Sequence, residues 1–319
     1  MRRKGGLRLA ALACLVPGLT MSGLPSAQNA PQNSPSPAMQ RAADHAMAGR
    51  SGALVVIDVA TSRILAAYHL GVAAQRVALP GSSIKTLTLM TLLETGKINE
   101  RTTLMCKRSL TVGGHQLNCT HPDVKQPFDP ATALAYSCNT YFARMATRLS
   151  PSELRDGFVK FGLASASGLA PSEVTGSIPV ANTQTDLQLQ AIGEGGVQVT
   201  PLELLRAYQR VALLASDHDA RLAPVFAGLE GSVSYGMGHL AQPNAPMKVA
   251  GKTGTSLVEE GSWRHGWFAG YAPADKPEIA LVVFLENGHG PTDAAEAARE
   301  IFAAYASTRT TGKPGRVGR

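Results

Sequence analysis

Ser82 and Lys85 stand three residues apart at the start of a predicted apolar helix, in the stretch PGSSIKTLTLMTLLETG. Residues at this spacing project from nearly the same helix face, so the hydroxyl and the amine can meet. A serine hydroxyl is a poor nucleophile until an adjacent base takes its proton. A lysine can be that base if burial or a nearby cation lowers its pKa from about 10.4. Free N–H groups at the helix start also stabilise developing negative charge, so the pattern suits nucleophilic catalysis in a dry cleft.

Two other stretches carry polar side chains that fit the same chemistry. YSCNTYF supplies Ser137 and Asn139 at a predicted bend between two helical segments. GKTGTS supplies a lysine and two threonines on a predicted strand, at positions 252–255. Each stretch alone is weak evidence, because threonines favour strands and asparagines favour turns. Their order along the chain is what points to a shared site.

Strands at both ends of the sequence and helices in the middle must position these side chains. Strands are predicted over 53–58, 63–69, 246–257, 266–273 and 278–286. Helices are predicted over 38–49, 82–96, 129–150 with a bend near Ser137, 150–162, 200–215 and 292–307. The economical architecture is an α+β fold, an α/β sandwich. In it an antiparallel five-stranded sheet is flanked by the N- and C-terminal helices, and a mostly helical subdomain is inserted. The active site is expected at the seam between them.

The net charge of +7 comes from the two ends of the 319-residue chain. Four basic residues lie in the first ten positions and four lie after position 308, with no acid among them. Removing these eight charges leaves −1 for the body. A nucleic-acid partner is therefore not expected, because it would need basic residues on a folded face.

The N-terminus has the pattern of an export signal: a basic start, a short apolar core and a small-residue exit after Ala27. We predict a signal peptide over 1–27, a disordered spacer over 28–37, the functional domain over 38–308 and a disordered basic tail over 309–319. The protein is then exported and periplasmic or otherwise extracytoplasmic. An uncleaved membrane anchor and lipidation at Cys14 are the alternatives.

Export changes how the cysteines are interpreted. Cys106 and Cys119 flank a predicted hairpin and would lie within disulfide reach, so we predict that they are bridged. The alternative is two ordinary buried thiols. Cys138 is then a buried free thiol. The sequence has no Cys-x-x-Cys pair and no His-Glu-x-x-His motif, so no metal site is expected.

The order and context of the three motifs resemble the penicillin-binding proteins and serine β-lactamases. The resemblance covers roughly residues 50–306 and is closest to class B penicillin-binding proteins without their pedestal domain. Three further segments match transpeptidase domains, namely ASGLAPSEVTGSIP, AIGEGGVQVTPLELLRAY and GWFAGYAPADKPEIALVVFLENG. The resemblance implies no cofactor.

The resemblance also implies roles for the catalytic side chains. Ser82 would attack the D-Ala-D-Ala carbonyl of a peptidoglycan stem peptide, or a β-lactam, to form an acyl-enzyme. Lys85 would take the Ser82 proton. Ser137 would relay a proton to the leaving D-alanine, and Asn139 would hold Lys85 and a substrate amide.

The strand motif would bind the substrate. Lys252 would supply positive potential, and Thr253 and Thr255 would bind the terminal carboxylate. The backbone N–H groups of Ser82 and Thr255 would form the oxyanion hole. Gly254 would let a substrate strand approach closely.

D,D-transpeptidation is the preferred function, with possible partner proteins from cell-wall synthesis. Class A β-lactamases recruit water with a Glu-x-x-x-Asn loop, whereas here Glu173 is followed by Ser177. Slow deacylation by water is therefore expected. The alternatives are a serine β-lactamase or D,D-carboxypeptidase, and a non-enzymatic β-lactam-binding receptor.

Overall fold

Apolar residues on both faces of the strands build a sheet that is covered on either side. The computed structural model describes residues 36–257 and 264–311. The strands are β1 (Gly52–Asp58), β2 (Ile64–Tyr68), β3 (Thr111–Val112), β4 (His115–Gln116), β5 (Ala250–Leu257), β6 (Arg264–Ala272) and β7 (Ile279–Leu285). Five of them form one antiparallel sheet in the order β2-β1-β7-β6-β5, while β3 and β4 form a separate hairpin.

Three of the helices in the described residues begin at a reciprocal side-chain cap. Ser150, Thr183 and Thr200 each cap a helix through a reciprocal capping box with the acidic residue three positions later. The helices are α1 (Pro37–Ala46), α2 (Leu70–Gln75), α3 (Lys85–Glu94), α4 (Pro130–Ala135), α5 (Asn139–Ala146), α6 (Pro151–Lys160), α7 (Gln184–Ile192), α8 (Pro201–Ser216), α9 (Ala223–Ser234) and α10 (Ala295–Thr311).

The two faces of the sheet bury different neighbours. Along β1, Leu54 and Val56 pack with residues of α1 and α10 in one apolar cluster. The alternate residues Ala53, Val55 and Ile57 pack with the helical body, including α3, α5 and α8, in another. This alternation is the period of two that a strand imposes on its side chains. The sheet is therefore the central layer, and the active-site helix lies on its second face.

The predicted α+β architecture is confirmed: the five-stranded antiparallel sheet, its terminal helices and the helical insertion are all present. Three helices were not predicted, namely α2, α7 and α9. α10 continues to Thr311, past the boundary predicted at residue 308. α1 begins at Pro37, inside the predicted spacer.

The predicted signal peptide at 1–27 lies outside the described residues. The described residues fall within one compact unit. A search of 36–257 and 264–311 finds no helix with the length and apolarity needed to cross a membrane.

Candidate active site

The predicted nucleophile lies on a tight turn ahead of α3. The chain forms a 3-10 turn over Gly81–Ile84 and passes directly into α3 at Lys85, whose backbone N–H donates to the carbonyl oxygen of Ser82. Ser82 is half-buried and faces a cleft. Beneath the turn, the buried hydroxyl of Tyr208 on α8 donates to the carbonyl oxygen of Ser83 at 2.8 Å. The turn is thus fixed by the helix that follows and by α8.

β5 approaches this turn so closely that two glycines are required. A Cβ placed on Gly81, whose φ is +52°, would lie 2.5 Å from the carbonyl oxygen of Thr255. A Cβ on Gly254 would lie 2.5 Å from the carbonyl oxygen of Pro80. Both contacts are with backbone, which has little room to move. The sheet edge and the nucleophile turn are therefore in direct backbone contact.

The Ser137 segment is a strained turn between α4 and α5. Ser137 has φ +56°, in the left-handed region that non-glycine residues seldom occupy. The next residue, Cys138, is the N-cap of α5. The predicted bend is present here, and its strained residue carries one of the predicted catalytic hydroxyls.

Two buried lysines meet at the Ser137 hydroxyl. Lys85 Nζ lies 2.9 Å from the Ser137 carbonyl oxygen and 3.4 Å from its Oγ, and it also donates to Asn139 Oδ1. Lys252 Nζ donates to Ser137 Oγ at 2.9 Å and to the carbonyl oxygen of Thr253 at 2.9 Å. The Ser137 hydroxyl therefore bridges the two amines.

Burial changes the proton affinity of both amines. Neither lysine side chain is exposed to solvent. Desolvation lowers the pKa of Lys85 to about 8, with a partial compensation by nearby acidic groups that include Glu194. The pKa of Lys252 is lowered well below its ordinary value by desolvation and by repulsion from Lys85. The neutral form of Lys85 is therefore accessible near neutral pH, and the two amines disfavour being charged at the same time.

The predicted residues share one cleft with a volume of about 340 Å³. Its walls include six of them, namely Ser82, Ser137, Asn139, Thr253, Gly254 and Thr255. Lys85 and Lys252 lie beneath these walls and reach Ser137. The three motifs are therefore brought together as the sequence predicted.

Glu194 also lines the cleft and was missed in the sequence. It is half-buried, desolvation raises the pKa of its carboxyl, and it interacts electrostatically with Lys85 and Arg264. By contrast, Glu173 accepts hydrogen bonds from the backbone of its own loop, including Leu169 N at 2.9 Å, and does not line the cleft. The segment AIGEGG gave no signal for Glu194, because nothing in it indicates that the loop reaches the nucleophile.

A second cluster adjoins Ser137 and could hold a metal ion. Cys106, Cys119, His121 and Cys138 place one ligand atom each within 4.8 Å of one another. The predicted hairpin is present, but its two cysteine sulfurs lie 3.5 Å apart and are not bonded. The disulfide therefore stays a prediction. The cluster was missed because its residues come from separated segments rather than from a short motif.

A serine on a helix-initiating turn, a buried lysine pair and a glycine-containing edge strand are together typical of serine acyl-transfer enzymes of the penicillin-binding class. Residues 52–306 match the model of the penicillin-binding protein transpeptidase domain. The chain belongs to this family, as the sequence motifs predicted.

Several curated relatives are named peptidoglycan D,D-transpeptidases. MrdA of Acinetobacter baumannii is 26% identical, over 85% of this chain and 53% of that protein. FtsI of Escherichia coli is 26% identical, over 65% of this chain and 39% of that protein. This chain thus spans about half the length of MrdA and a smaller share of FtsI.

Solved structures show the same fold. The D,D-transpeptidase domain of a peptidoglycan glycosyltransferase from Eggerthella lenta superposes with a TM-score of 0.75 at 22% identity, covering 86% of this chain and 82% of that one. PBP2 from Helicobacter pylori superposes with a TM-score of 0.76 at 20% identity, covering 88% of this chain and 64% of that one.

Proposed function

We propose that this protein is a D,D-transpeptidase that cross-links peptidoglycan stem peptides through an acyl-enzyme on Ser82 and is acylated by β-lactams at the same residue. The observation that carries the proposal is the shared cleft, in which Ser82 faces Ser137 and the edge strand above two buried lysines. The names of the curated relatives support the same reaction.

Acylation begins with Lys85 as the base. A neutral Lys85 accepts the Ser82 proton as Oγ attacks the carbonyl carbon of the penultimate D-alanine. The oxyanion that forms is held by the backbone N–H groups of Ser82 and Thr255, which the close approach of β5 keeps side by side. The pKa of Lys85, near 8, makes the neutral amine available at little cost.

Departure of the terminal D-alanine needs a proton on its nitrogen. The Ser137 hydroxyl touches both amines and can pass a lysine proton to that nitrogen as the C–N bond breaks. Thr253 and Thr255, on the edge strand, would bind the terminal carboxylate, and Lys252 would supply positive potential beneath them. Asn139 keeps Lys85 in position through its side-chain oxygen.

The acceptor decides between transpeptidation and hydrolysis. The Glu173 carboxylate is engaged by its own loop, so it does not supply the water-activating base of class A β-lactamases. Glu194 is the carboxylate that faces the cleft, and a negative charge there attracts a cationic amine acceptor. This arrangement favours an amine acceptor over water.

The proposal extends to location and partners. The relatives are enzymes of cell-wall synthesis, which takes place outside the cytoplasm. PBP2 of Helicobacter pylori has been solved in a complex with MreC. We therefore propose an exported protein that works with partners from cell-wall synthesis.

Covalent labelling tests the nucleophile. Purified protein should form a stable adduct with fluorescent penicillin, and Ser82→Ala should abolish it. Ser152→Ala, which removes an exposed hydroxyl on α6, is the matched control and should label normally. Labelling of the Ser82→Ala variant would refute the assignment.

Adduct lifetime and acceptor assays separate the alternatives. A long-lived adduct together with product formation from stem peptide and an amine acceptor supports the transpeptidase. Rapid loss of the adduct to water would instead identify a β-lactamase or carboxypeptidase. A long-lived adduct without any transfer would identify a β-lactam-binding receptor.

A further inference from the structure

One end of the catalytic cleft carries a guanidinium that the proposed reaction does not use. Arg264, the first residue of β6, lines the cleft, and its side chain is exposed. Among the described residues that line this cleft, Arg264 is the only basic one, because Lys85 and Lys252 lie beneath the walls. A guanidinium presents a planar fork of N–H donors that binds a carboxylate through two parallel hydrogen bonds.

The register of β5 and β6 places Arg264 on the face of the strands that carries Thr253 and Thr255. Leu257 pairs with Arg264, and Thr255 pairs with Gly266. Directly paired residues of antiparallel strands project from the same face, and residues two apart along a strand also share a face. Gly266, the neighbour of Thr255 on this face, has no side chain to separate Thr255 from Arg264.

Backbone contacts fix the position of Arg264 although it is the first residue of its strand. Gly288 N donates to the Arg264 carbonyl oxygen at 2.9 Å. A Cβ placed on Gly266 would lie 3.0 Å from the carbonyl carbon of Gly288, so this segment lies directly against β6. Two residues later, Gly290 N donates to Thr255 Oγ1 at 3.0 Å. The same short segment therefore holds both the start of β6 and the threonine of β5.

The Arg264 guanidinium is available to a ligand. Within residues 36–257 and 264–311 it forms no ion pair with a carboxylate. Glu194, the acidic residue that lines the same cleft, attracts Arg264 electrostatically without being paired to it. The guanidinium can therefore bind a carboxylate that a ligand brings into the cleft.

The direction of the acyl donor along β5 brings its side group to this end of the cleft. In the proposed reaction, Thr253 contacts the terminal carboxylate, and the backbone N–H of Thr255 binds the reacting carbonyl oxygen. The donor then runs from Thr253 past Thr255, so the residue before the reacting D-alanine lies near Leu257. Two residues of extended chain span about 6.6 Å, which takes the donor to the strand position that pairs with Arg264.

We propose that Arg264 forms a subsite for a second carboxylate, carried by the side group of the acyl donor next to the reacting D-alanine. The proposal rests on the proposed function, because that reaction sets the direction of the donor in the cleft. Leu257, which is 50% exposed, and Pro291 also line the cleft and offer apolar contact to the methylene groups of such a side group. Arg264 takes no part in bond making, so its effect is to select acidic donors over neutral donors of similar shape.

Two β-lactams that differ by one carboxylate test the subsite. Benzylpenicillin has a neutral side group, and its α-carboxy analogue carries a carboxylate at the position that corresponds to the donor residue before the reacting carbonyl. The ratio of the two acylation rate constants measures the preference for the acidic compound. In Arg264→Gln this ratio should shift about fivefold toward the neutral compound, as expected for loss of one partly exposed ion pair. In the unaltered protein, the preference should weaken as salt concentration rises.

Two further variants show whether the effect belongs to this guanidinium. Arg41→Gln removes the same charge from an exposed position on α1 that does not line the cleft, and it should leave the ratio unchanged. Arg264→Lys keeps the charge without the planar fork and should retain part of the preference. The salt dependence is measured on the unaltered chain, so the test stays decisive if Arg264→Gln does not fold.

The outcomes separate this subsite from the proposed function. Acylation of Ser82 by both compounds, with one ratio in the parent and Arg264→Gln proteins and no effect of salt on that ratio, would overturn the subsite and leave the acyl-enzyme mechanism intact. Failure of both compounds to acylate Ser82 would instead refute the proposed function, and the subsite with it.

Discussion

The two walls of the cleft are held by different kinds of contact. The strand wall consists of the nucleophile turn at 80–85 and β5. Its parts meet through backbone atoms at two glycines, and β5 is paired along its length with β6. The hairpin wall consists of residues 103–121 and the turn at 136–139. Its only regular structure is a pair of two-residue strands, and it is joined by side chains.

Specific contacts show the difference in the hairpin wall. Asn139 Nδ2 donates to the carbonyl oxygen of Leu117 at 2.9 Å, and the side chains of Cys106, Cys119, His121 and Cys138 cluster close by. A wall made from a sheet edge is rigid through its backbone ladder, whereas a wall with little regular structure needs a cross-link to be equally rigid. The strand wall should therefore be sensitive to steric change, and the hairpin wall to loss of single polar side chains.

The largest effect should follow from a methyl group on the strand wall. In Gly81→Ala, the new Cβ meets the Thr255 carbonyl oxygen and must push β5 away from the turn. Separating the two oxyanion donors should slow acylation by about 10²–10³-fold, as loss of one donor does elsewhere. The acylation rate constant for a chromogenic β-lactam measures this.

Gly96→Ala is the matched control for strain alone. Gly96 has a similar φ of +67°, but an added Cβ there meets no atom within 4 Å. It should lose about 1 kcal/mol of unfolding free energy from its left-handed backbone and acylate normally. Equal acylation rates in the Gly81→Ala and Gly96→Ala variants would show that the close approach of β5 to the nucleophile turn does not affect acylation.

The next largest effect should come from the Ser137 hydroxyl on the hairpin wall. Ser137→Gly removes the group that bridges Lys85 and Lys252 while keeping a residue suited to φ +56°. Turnover of stem peptide should fall about 10²-fold, the lower range for loss of a proton-transfer group. Thermal unfolding should occur at an equal or higher temperature.

The Ser137→Ala variant separates the effect of losing the hydroxyl from the effect of backbone strain at this position. It lacks the hydroxyl but keeps the cost of a left-handed non-glycine residue, so it should match Ser137→Gly in turnover and be less stable. If the alanine variant retained normal turnover, the relay role of Ser137 would be lost.

The comparison also explains what the sequence could predict. The strand wall consists of regular elements that carry local signals: alternating apolar residues in the strands, and a Pro-Gly pair before α3. The sequence therefore assigned Ser82 and Lys85 to a helix start and residues 252–255 to a strand, and the structure has them on these elements. The bend at Ser137 was predicted for the same reason, since a helical pattern is interrupted there.

The hairpin wall and the Glu194 loop lack such signals. Their side chains meet only in three dimensions: Cys106 and Cys138 are far apart in sequence, and Glu194 reaches the cleft from the end of α7. Periodicity describes which face of an element is buried, not which loops come together. The cysteines were accordingly interpreted as a pair when the structure has a cluster of four residues.

A smaller effect on the acylation rate is expected from a change of pH, because Lys85, which lies under both walls, must be neutral to act as the base. Lys85 is the base only when neutral, and its pKa is lowered to about 8 by burial. The acylation rate should therefore rise about tenfold per pH unit below this value and level off above it. A pH profile of acylation checks this, and a rate that is flat through the neutral range would exclude Lys85 as the titrating base.

The smallest effect should come from Glu194→Gln, which tests whether the end of α7 forms part of the acceptor site. The change removes a negative charge and keeps the side-chain shape, so an amine acceptor should lose an ion pair worth about 1 kcal/mol at a partly exposed position. The acceptor KM should then rise about fivefold at unchanged kcat. The pH profile of β-lactam acylation should shift only slightly toward lower pH, because the Glu194 carboxylate helps to raise the pKa of Lys85.

The rate of transfer to an amine and the rate of hydrolysis by water, measured side by side for the Glu194→Gln variant and the parent protein, test this expectation. A fall in hydrolysis with no change in amine transfer would mean that Glu194 activates water, and the enzyme would then belong with the carboxypeptidases rather than the cross-linking enzymes.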